Sequence, residues 1–417
     1  MNGLRYRNII ILLFLFIASK SFSKTVDATV WGAKGDNKTN NTEVFIKILG
    51  NIIDNDTLFL PKGDYIIDGL QIKDKKNFII VGEGRLIASN AKNQDYFITI
   101  RNCPNIKISG ISLNCNNLRN VALDIYESPN GHLSDMIVEN VMGKDNNWAS
   151  GIIIRQKNHF FCIDNIKVDK VSSQQNAAIG IWMFLQLNQE ESKNVNILNV
   201  EILNINSPSD GDGIKVQQLQ KNSYLLIKDC TFVNTSKRAI KIQTNEVKIE
   251  NNFIKRTSEY GDGFSVFSVY GSNIEIIGND FRSFGNSSVN MFVDISAVSN
   301  VLIKNNRHFI SNESKSKVKD FVLTKYHKSE KNFVTQNVRI EGNTVNNIRN
   351  FFRVKSNLIS CELINNNITN LNSNFILIAN DTMLTSVDFI KTNNKIAYTK
   401  HSYTELYSPK HVKINRN

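Results

Sequence analysis

Short runs alternating apolar and polar residues recur along the chain in two interleaved series. The first ends each run in an asparagine-rich turn: "IKISGI", "MIVENV", "CIDNIK", "NILNVE", "LIKDCTF", "KIENNF", "IIGNDF", "LIKNNRH", "RIEGNTV" and "LINNNIT". Aligned on the isoleucine or valine before the turn, the positions are 108, 138, 163, 197, 227, 249, 277, 303, 340 and 364, in steps mostly of 22 to 30 residues. Three places later the column reads Asn252, Asp280, Asn306, Asn343 and Asn367. The second series lies between these runs: "VALDIY", "SGIIIR", "IGIWMF", "DGIKVQ", "RAIKIQ", "DGFSVF" and "MFVDIS". Alternation with period two over four to six residues, rich in β-branched types and bounded by Asn, Gly or Ser, predicts half-buried strands.

Two or three such strands per repeat of this length predict an all-β, right-handed parallel β-helix of about ten or more coils. Each coil buries its apolar pair against neighbours about 4.8 Å away. Turn asparagines tolerate the left-handed backbone and can bond side chain to side chain from coil to coil. A 3.6-residue period is absent, which excludes helical repeats, and a propeller blade of about 40 residues is too long. "NNTEVFIKILGNIID" (40–54) is the one amphipathic helix, with Val44, Ile48 and Ile52 on one face and Thr42 as N-cap. It caps the N-terminal end of the stack, within an N-terminal cap over 24–54. The β-helix then runs over 55–395, with a basic, aromatic tail or cap over 396–417.

Residues 1–23 carry Arg5 and Arg7, an apolar run from Ile9 to Ala18 and a small-residue end at Ser21-Phe22-Ser23. That is the layout of a secretory signal peptide, so the expectation is a secreted or periplasmic protein with no membrane span in the mature chain. The five cysteines have no metal-type spacing, and Cys230 occupies an apolar repeat position, so buried free thiols are expected; a Cys103–Cys115 bridge is the alternative. The net charge of +12 would suggest nucleic acid in a cytosolic protein. In an exported one it points to an anionic polysaccharide instead.

One stretch carries a resemblance. "DATVWGAKGDNKTNNTEVFIKIL" with "DTLFLPKGDYIIDGLQIKDKKNFIIVGEGRLIAS" closely resembles the N-terminal motif of the pectate-lyase-like (pectin lyase-like) superfamily, which includes rhamnogalacturonase- and polygalacturonase-related proteins and phage tailspike depolymerases. The resemblance lies in Gly32-Ala33-Lys34-Gly35-Asp36, Thr39 with Thr42, Leu60-Pro61-Lys62-Gly63-Asp64-Tyr65 and Gly82-Glu83-Gly84. It implies a parallel β-helix whose chemistry is that of a lyase, hydrolase, epimerase or glycan binder. Tailspike-like members are often trimers, so a homotrimer is one expectation. In the polygalacturonase-like branch, successive coils carry Asn-Thr-Asp-Gly, Gly-Asp-Asp and Gly-His-Gly, followed by Arg-Ile-Lys. Here the corresponding stretches read Asp210-Gly211-Asp212-Gly213, Ser236-Lys237-Arg238-Ala239 and Tyr260-Gly261-Asp262-Gly263. Asp212 matches the first catalytic aspartate, Lys237 and Arg238 replace the acid pair, and Asp262 replaces the histidine.

If these strands stack in register, Asp212, Arg238 and Asp262 form one column, the two acids about 9.6 Å apart at ~4.8 Å per coil. That is close to the ~6.5–9.5 Å range of inverting glycoside hydrolysis, with Glu259 or Asp210 as the alternative acid. Lys215 and Lys241 share the next outward column, beside Lys237 and Arg238, and crowded lysines with lowered pKa suit β-elimination. Trp182, one coil above Lys215, could stack on a sugar ring. Ala122, Gly151, Gly180, Gly213, Ala239 and Gly263 are small enough to line a trough for a chain, or else to allow tight coil packing. No cofactor is implied, although calcium held by Asp210, Asp212 and Asp262 would suit carboxylate oxygens. The six histidines share no column, so neither a zinc site nor a Ser/His/Asp triad is indicated. The expected function is therefore an exported enzyme cleaving an acidic polysaccharide, as glycoside hydrolase or polysaccharide lyase. The alternative is a non-catalytic glycan-binding surface protein.

Overall fold

The computed structural model describes residues 23–90, 95–186, 188–257, 263–285, 289–296, 298–311, 320–326, 334–379, 386–398, 404–410 and 412–416. The expected signal peptide falls almost wholly outside them. Among the described residues thirty-four strands pair in parallel into one continuous right-handed coil, the fold the repeat spacing called for. No helix among the described residues is long and apolar enough to cross a membrane.

Each coil has three faces. In one coil His132–Gly143 bends across the second and third faces and Ala149–Ile154 forms the first. Cys162–Ser173 and Ala178–Phe184 repeat the arrangement one coil on. The first face holds the second sequence series, and the second face holds the runs that precede the asparagine turn. Ile108 stacks on Leu133, and Leu133 on Ile163, rather than on Val138, which belongs to the third face. Ile276 and Leu363, rather than their neighbours 277 and 364, continue the inward column. A bend within each run adds a residue, so a strictly periodic count drifts by one.

The turn that follows carries a side-chain ladder of Asn252, Asn279, Asn306, Asn343 and Asn366, all buried, and the partly exposed Asn394, one residue off the expected column at 280 and 367. From Asn279 onward each Oδ1 accepts the backbone N–H and an Nδ2–H of the asparagine one coil before it, all at 2.9–3.0 Å, while Asn252 Oδ1 accepts the Cys230 N–H. Stacking thus satisfies polar groups that would be costly to bury alone. Most non-glycine residues with positive φ are asparagines, again at turns.

At the N-terminal end the helix spans Thr42–Asn51 and packs Phe45, Ile48 and Leu49, with Ile52 beyond it, into the core. Phe45 therefore takes the central place expected of Val44. Asn41, not Thr42, is the N-cap residue, and its side chain bonds the backbone of Lys34 instead of the helix. Coiling begins before residue 55, since Thr25–Asp27 pairs with Thr57–Phe59. It also continues past 395, since Lys413–Arg416 pairs with Ser386–Phe389. The cysteines are free, and all but the partly exposed Cys162 are buried.

The small-residue column is an internal feature rather than an external trough. A Cβ at Gly180 would lie 2.8 Å from Ile202 Cγ2, and one at Gly213 would lie 2.7 Å from Phe232 Cδ1, both core side chains of the third face. The column continues through Val266, not Gly263, because Ile240 pairs with Phe267. It ends in a stack of Phe292, Phe321, Phe351 and Phe375, with successive ring centroids 4.9, 5.3 and 5.1 Å apart. Where the facing wall holds large side chains the column is small; where the column is phenylalanine, the rings fill the core themselves.

Candidate active site

The strand segments 211–217 and 238–243 lie side by side on the first face, with Asp212 opposite Arg238, Lys215 opposite Lys241, and Trp182 opposite Lys215. Five of the expected site residues therefore meet. Arg238 Nη1 donates to Asp210 Oδ1 at 2.9 Å and to Asp212 Oδ1 at 3.1 Å. Lys241 Nζ donates to Asp210 Oδ2 at 2.9 Å, and Lys215 Nζ reaches the same oxygen at 3.5 Å. Three cations converge on one partly exposed carboxylate.

Burial alone would raise the Asp210 carboxyl, but Lys241 and Arg238 outweigh it and hold it well below the usual carboxylate range. Burial pushes Asp212 up against the pull of Arg238, and its Oδ2 has no hydrogen-bond partner. Burial lowers Lys215, helped by Lys241 and opposed by Asp210 and Asp212. Arg238 is desolvated too, yet the two aspartates keep it firmly protonated. Asp212 is 0% exposed, and its carboxylate faces Arg238 rather than the open groove.

The other expected residues divide. Lys237 sits at the rim, its Nζ donating to the Ser209 carbonyl at 3.1 Å. Trp182 is only 9% exposed, edge-on to Trp148, tilted against Phe184 and covered by Lys215 at 5.1 Å from its ring centroid, so it offers no open stacking surface. Asp262 and Glu259 lie outside the described residues. The register places Ser265, not Asp262, in line with Arg238. Calcium fits poorly: Asp210 and Asp212 are already engaged by side-chain cations, and no cluster of three or more His, Cys, Asp or Glu able to hold a metal occurs among the described residues.

The network extends further than the sequence suggested. Arg238 Nε donates to Ser268 Oγ at 3.0 Å. Ser268 Oγ approaches Asp294 Oδ2 at 3.4 Å, and Lys325 Nζ donates to that oxygen at 2.8 Å. Phe264 lies between Arg238 and Lys325, 4.9 and 4.8 Å from its ring centroid. Tyr270 lies between Lys241 and Lys325, and burial, with Asp294, pushes its phenol up to about 12. Buried Asp294 shares the outward column of Lys215, Lys241 and Ser268. The aspartate of "MFVDIS" stands between the apolar pair of its strand as Lys215 and Lys241 do in theirs, but it was not singled out from the sequence. Further along the face, Arg155 pairs with buried Asp124 at 2.7 Å and Arg353 with Asp320 at 3.5 Å.

Residues 25–130 match the family described as rhamnogalacturonase A/epimerase, pectate lyase-like. No characterised protein matches the chain by sequence. Among solved structures the fold resembles the catalytic unit of the GH87 α-1,3-glucanase of Streptomyces thermodiastaticus strain HF3-3, with a TM-score of 0.60 at 13% identity, over 92% of this chain and 70% of that one. The surface protein and adhesin PfbA of Streptococcus pneumoniae matches with a TM-score of 0.56 at 12% identity, over 90% and 99%. ORF18 of Geobacillus virus E2 matches with a TM-score of 0.51 at 13% identity; the similarity covers 78% of this chain and only 65% of that protein's length. The N-terminal match is to a pectate lyase-like family, and the fold is the parallel β-helix seen in proteins of that superfamily. At such identities the fold is shared with both polysaccharide-active enzymes and an adhesin.

Proposed function

We propose that the first face binds an acidic, uronate-bearing polysaccharide outside the cytoplasm and cleaves it by β-elimination. The observation that carries this reading is the convergence of Lys215, Arg238 and Lys241 on the Asp210 carboxylate, which marks the pocket as built for a carboxylate. A uronate carboxylate held by Arg238 and Lys241 is neutralised, which acidifies its C5–H. Lys215, lowered by burial, takes that proton; the C4–O bond breaks as the C4–C5 double bond forms. Tyr270, partly exposed and protonated, gives its proton to the departing oxygen.

Hydrolysis has weaker support among the described residues. Asp212 is enclosed, and Asp294 lies three coils further on, about 14 Å at ~4.8 Å per coil, against the ~6.5–9.5 Å that an inverting acid pair needs. The test is to incubate the protein with uronate polymers, following ultraviolet absorbance of unsaturated uronate alongside new reducing ends. Both signals should rise together and disappear in Lys215→Ala. Reducing ends without the chromophore would mean hydrolysis, and retention of the polymer without either would mean a glycan-binding surface protein.

A further inference from the structure

The second face presents an outward column of Leu226, Lys248, Glu275, Leu302, Arg339, Glu362 and Ile390, in register from coil to coil. A trough of ≈ 860 Å³ runs along it, lined by all of these but Ile390. Read from Leu302 outward, this stretch of the column is self-complementary: Glu275 and Arg339 flank the leucine, Lys248 and Glu362 come next, and Leu226 and Ile390 follow, with Asn196 continuing the column beyond Leu226. Reversing the column sets every charge against its opposite and every apolar residue against another.

From this pattern we infer that the second face is an isologous interface, and that its occupant is a second copy of this chain running antiparallel. The two-fold axis lies parallel to the strands and passes by Leu302. In a two-fold contact each unlike pair occurs twice, so Glu275 meets the Arg339 position of the other copy and Lys248 the Glu362 position, on both sides of the axis. Glu275 has no ion pair among the described residues. Arg339 already donates to Glu341 at 2.8 Å and to Glu362 at 2.7 Å, and Lys248 lies 3.3 Å from Glu250. These pairs are exposed and individually weak, and a guanidinium has five N–H donors, so it can serve a facing carboxylate as well.

The turn column beside it is compatible. Asn300 falls on the axis, and Asn273 faces Asn337; in the single chain these three are linked by amide hydrogen bonds of 2.7 and 2.8 Å. On the other flank Lys304 faces its own copy, each held by Glu341 at 3.2 Å. The charged groove lies on a different face, so both copies keep it open.

Sedimentation velocity of the purified protein over a concentration series tests this arrangement. A dimer is expected, and Leu302→Arg, which sets two cations together on the axis, should dissociate it. Glu275→Arg and Arg339→Glu should each weaken association about tenfold or more, since each acts twice. The double variant E275R/R339E, with both charges exchanged, should recover the wild-type dimer. A monomer at every concentration, a trimer, a dimer indifferent to Leu302→Arg, or a double variant no better than its parents would each overturn the inference.

Discussion

Replacing Arg238 by methionine tests the electrostatic centre of the groove. The guanidinium is 6% exposed and bonds Asp210, Asp212 and Ser268. Its removal leaves Asp212 fully enclosed with neither oxygen charge-paired, and breaking a buried pair from one side costs roughly 3–5 kcal/mol. At ~2.1 cal/mol/K per residue, unfolding of all 417 residues carries an entropy near 0.9 kcal/mol/K, so about 4 kcal/mol lowers Tm by roughly 4–5 °C. A smaller cooperative block of coils would give a larger shift. The pH dependence carries the more specific signal. In the variant, burial still raises the Asp212 pKa above its unfolded value, now without the opposing Arg238. A raised carboxyl stabilises the fold fully below the unfolded pKa, and that contribution is lost as pH rises through the folded value. The variant's deficit relative to wild type should therefore be largest at neutral pH and shrink on acidification towards pH ~4. Urea melts of both proteins at neutral and acid pH measure this difference. A deficit independent of pH would refute the reasoning, because it would mean that Asp212 carries no charge for Arg238 to compensate.

Three further outcomes follow from the same structure. Burial and Lys241 lower Lys215, so elimination should rise with pH along a limb centred below the ordinary lysine value of about 10.4; a pH profile of the wild type checks this, and a limb centred at or above that value counts against Lys215 as the base. Gly213→Ala forces a Cβ to 2.7 Å from Phe232 Cδ1 and 2.6 Å from the Ala239 carbonyl. It should cost about 1–3 kcal/mol by denaturant unfolding, whereas a glycine lining an open trough would tolerate the methyl. Asn306→Ala removes one rung of the ladder and leaves the Asn279 N–H and Nδ2–H without their acceptor. A loss of about 1–3 kcal/mol is expected, detectable as faster amide exchange on both neighbouring coils.

The repeat was legible because period-two alternation and left-handed asparagines are local properties, repeated often enough to be counted. The pairing of 212 with 238, 215 with 241 and 182 with 215 was legible for the same reason: the register shifts of the 211–228 strand fall only after Gln217. The reading failed where a coil changes length. Between Arg238 and Ser265 there are three more residues than the glycine alignment allowed, so the register slipped by three and Asp262 was brought into line with Arg238. The direction in which small residues face was also beyond a one-dimensional pattern. Gly180 and Gly213 look like a groove floor until Ile202 and Phe232, from another face, are seen to occupy the space beneath them.

Burial separated the charged residues in a way that the pattern could not. On an open sheet a run of lysines, arginines and aspartates is a solvated surface in which each pair contributes little. Here Asp212 and Asp294 are enclosed while Asp210, Lys215, Lys241 and Lys325 keep part of their surface exposed, so two of the three acids are withdrawn beneath the surface and the third shares it with the cations. A buried carboxylate under an exposed cation keeps that cation in one place and offers its outer side to an anionic ligand. The arrangement is seen in Asp294 with Lys325, whose side chains are 0% and 27% exposed. Such layering disfavours a purely structural role for the cluster, because a surface serving only solubility has no need to desolvate its acids. It favours a ligand carrying negative charge at intervals along an extended chain, which is the form of a polyuronate.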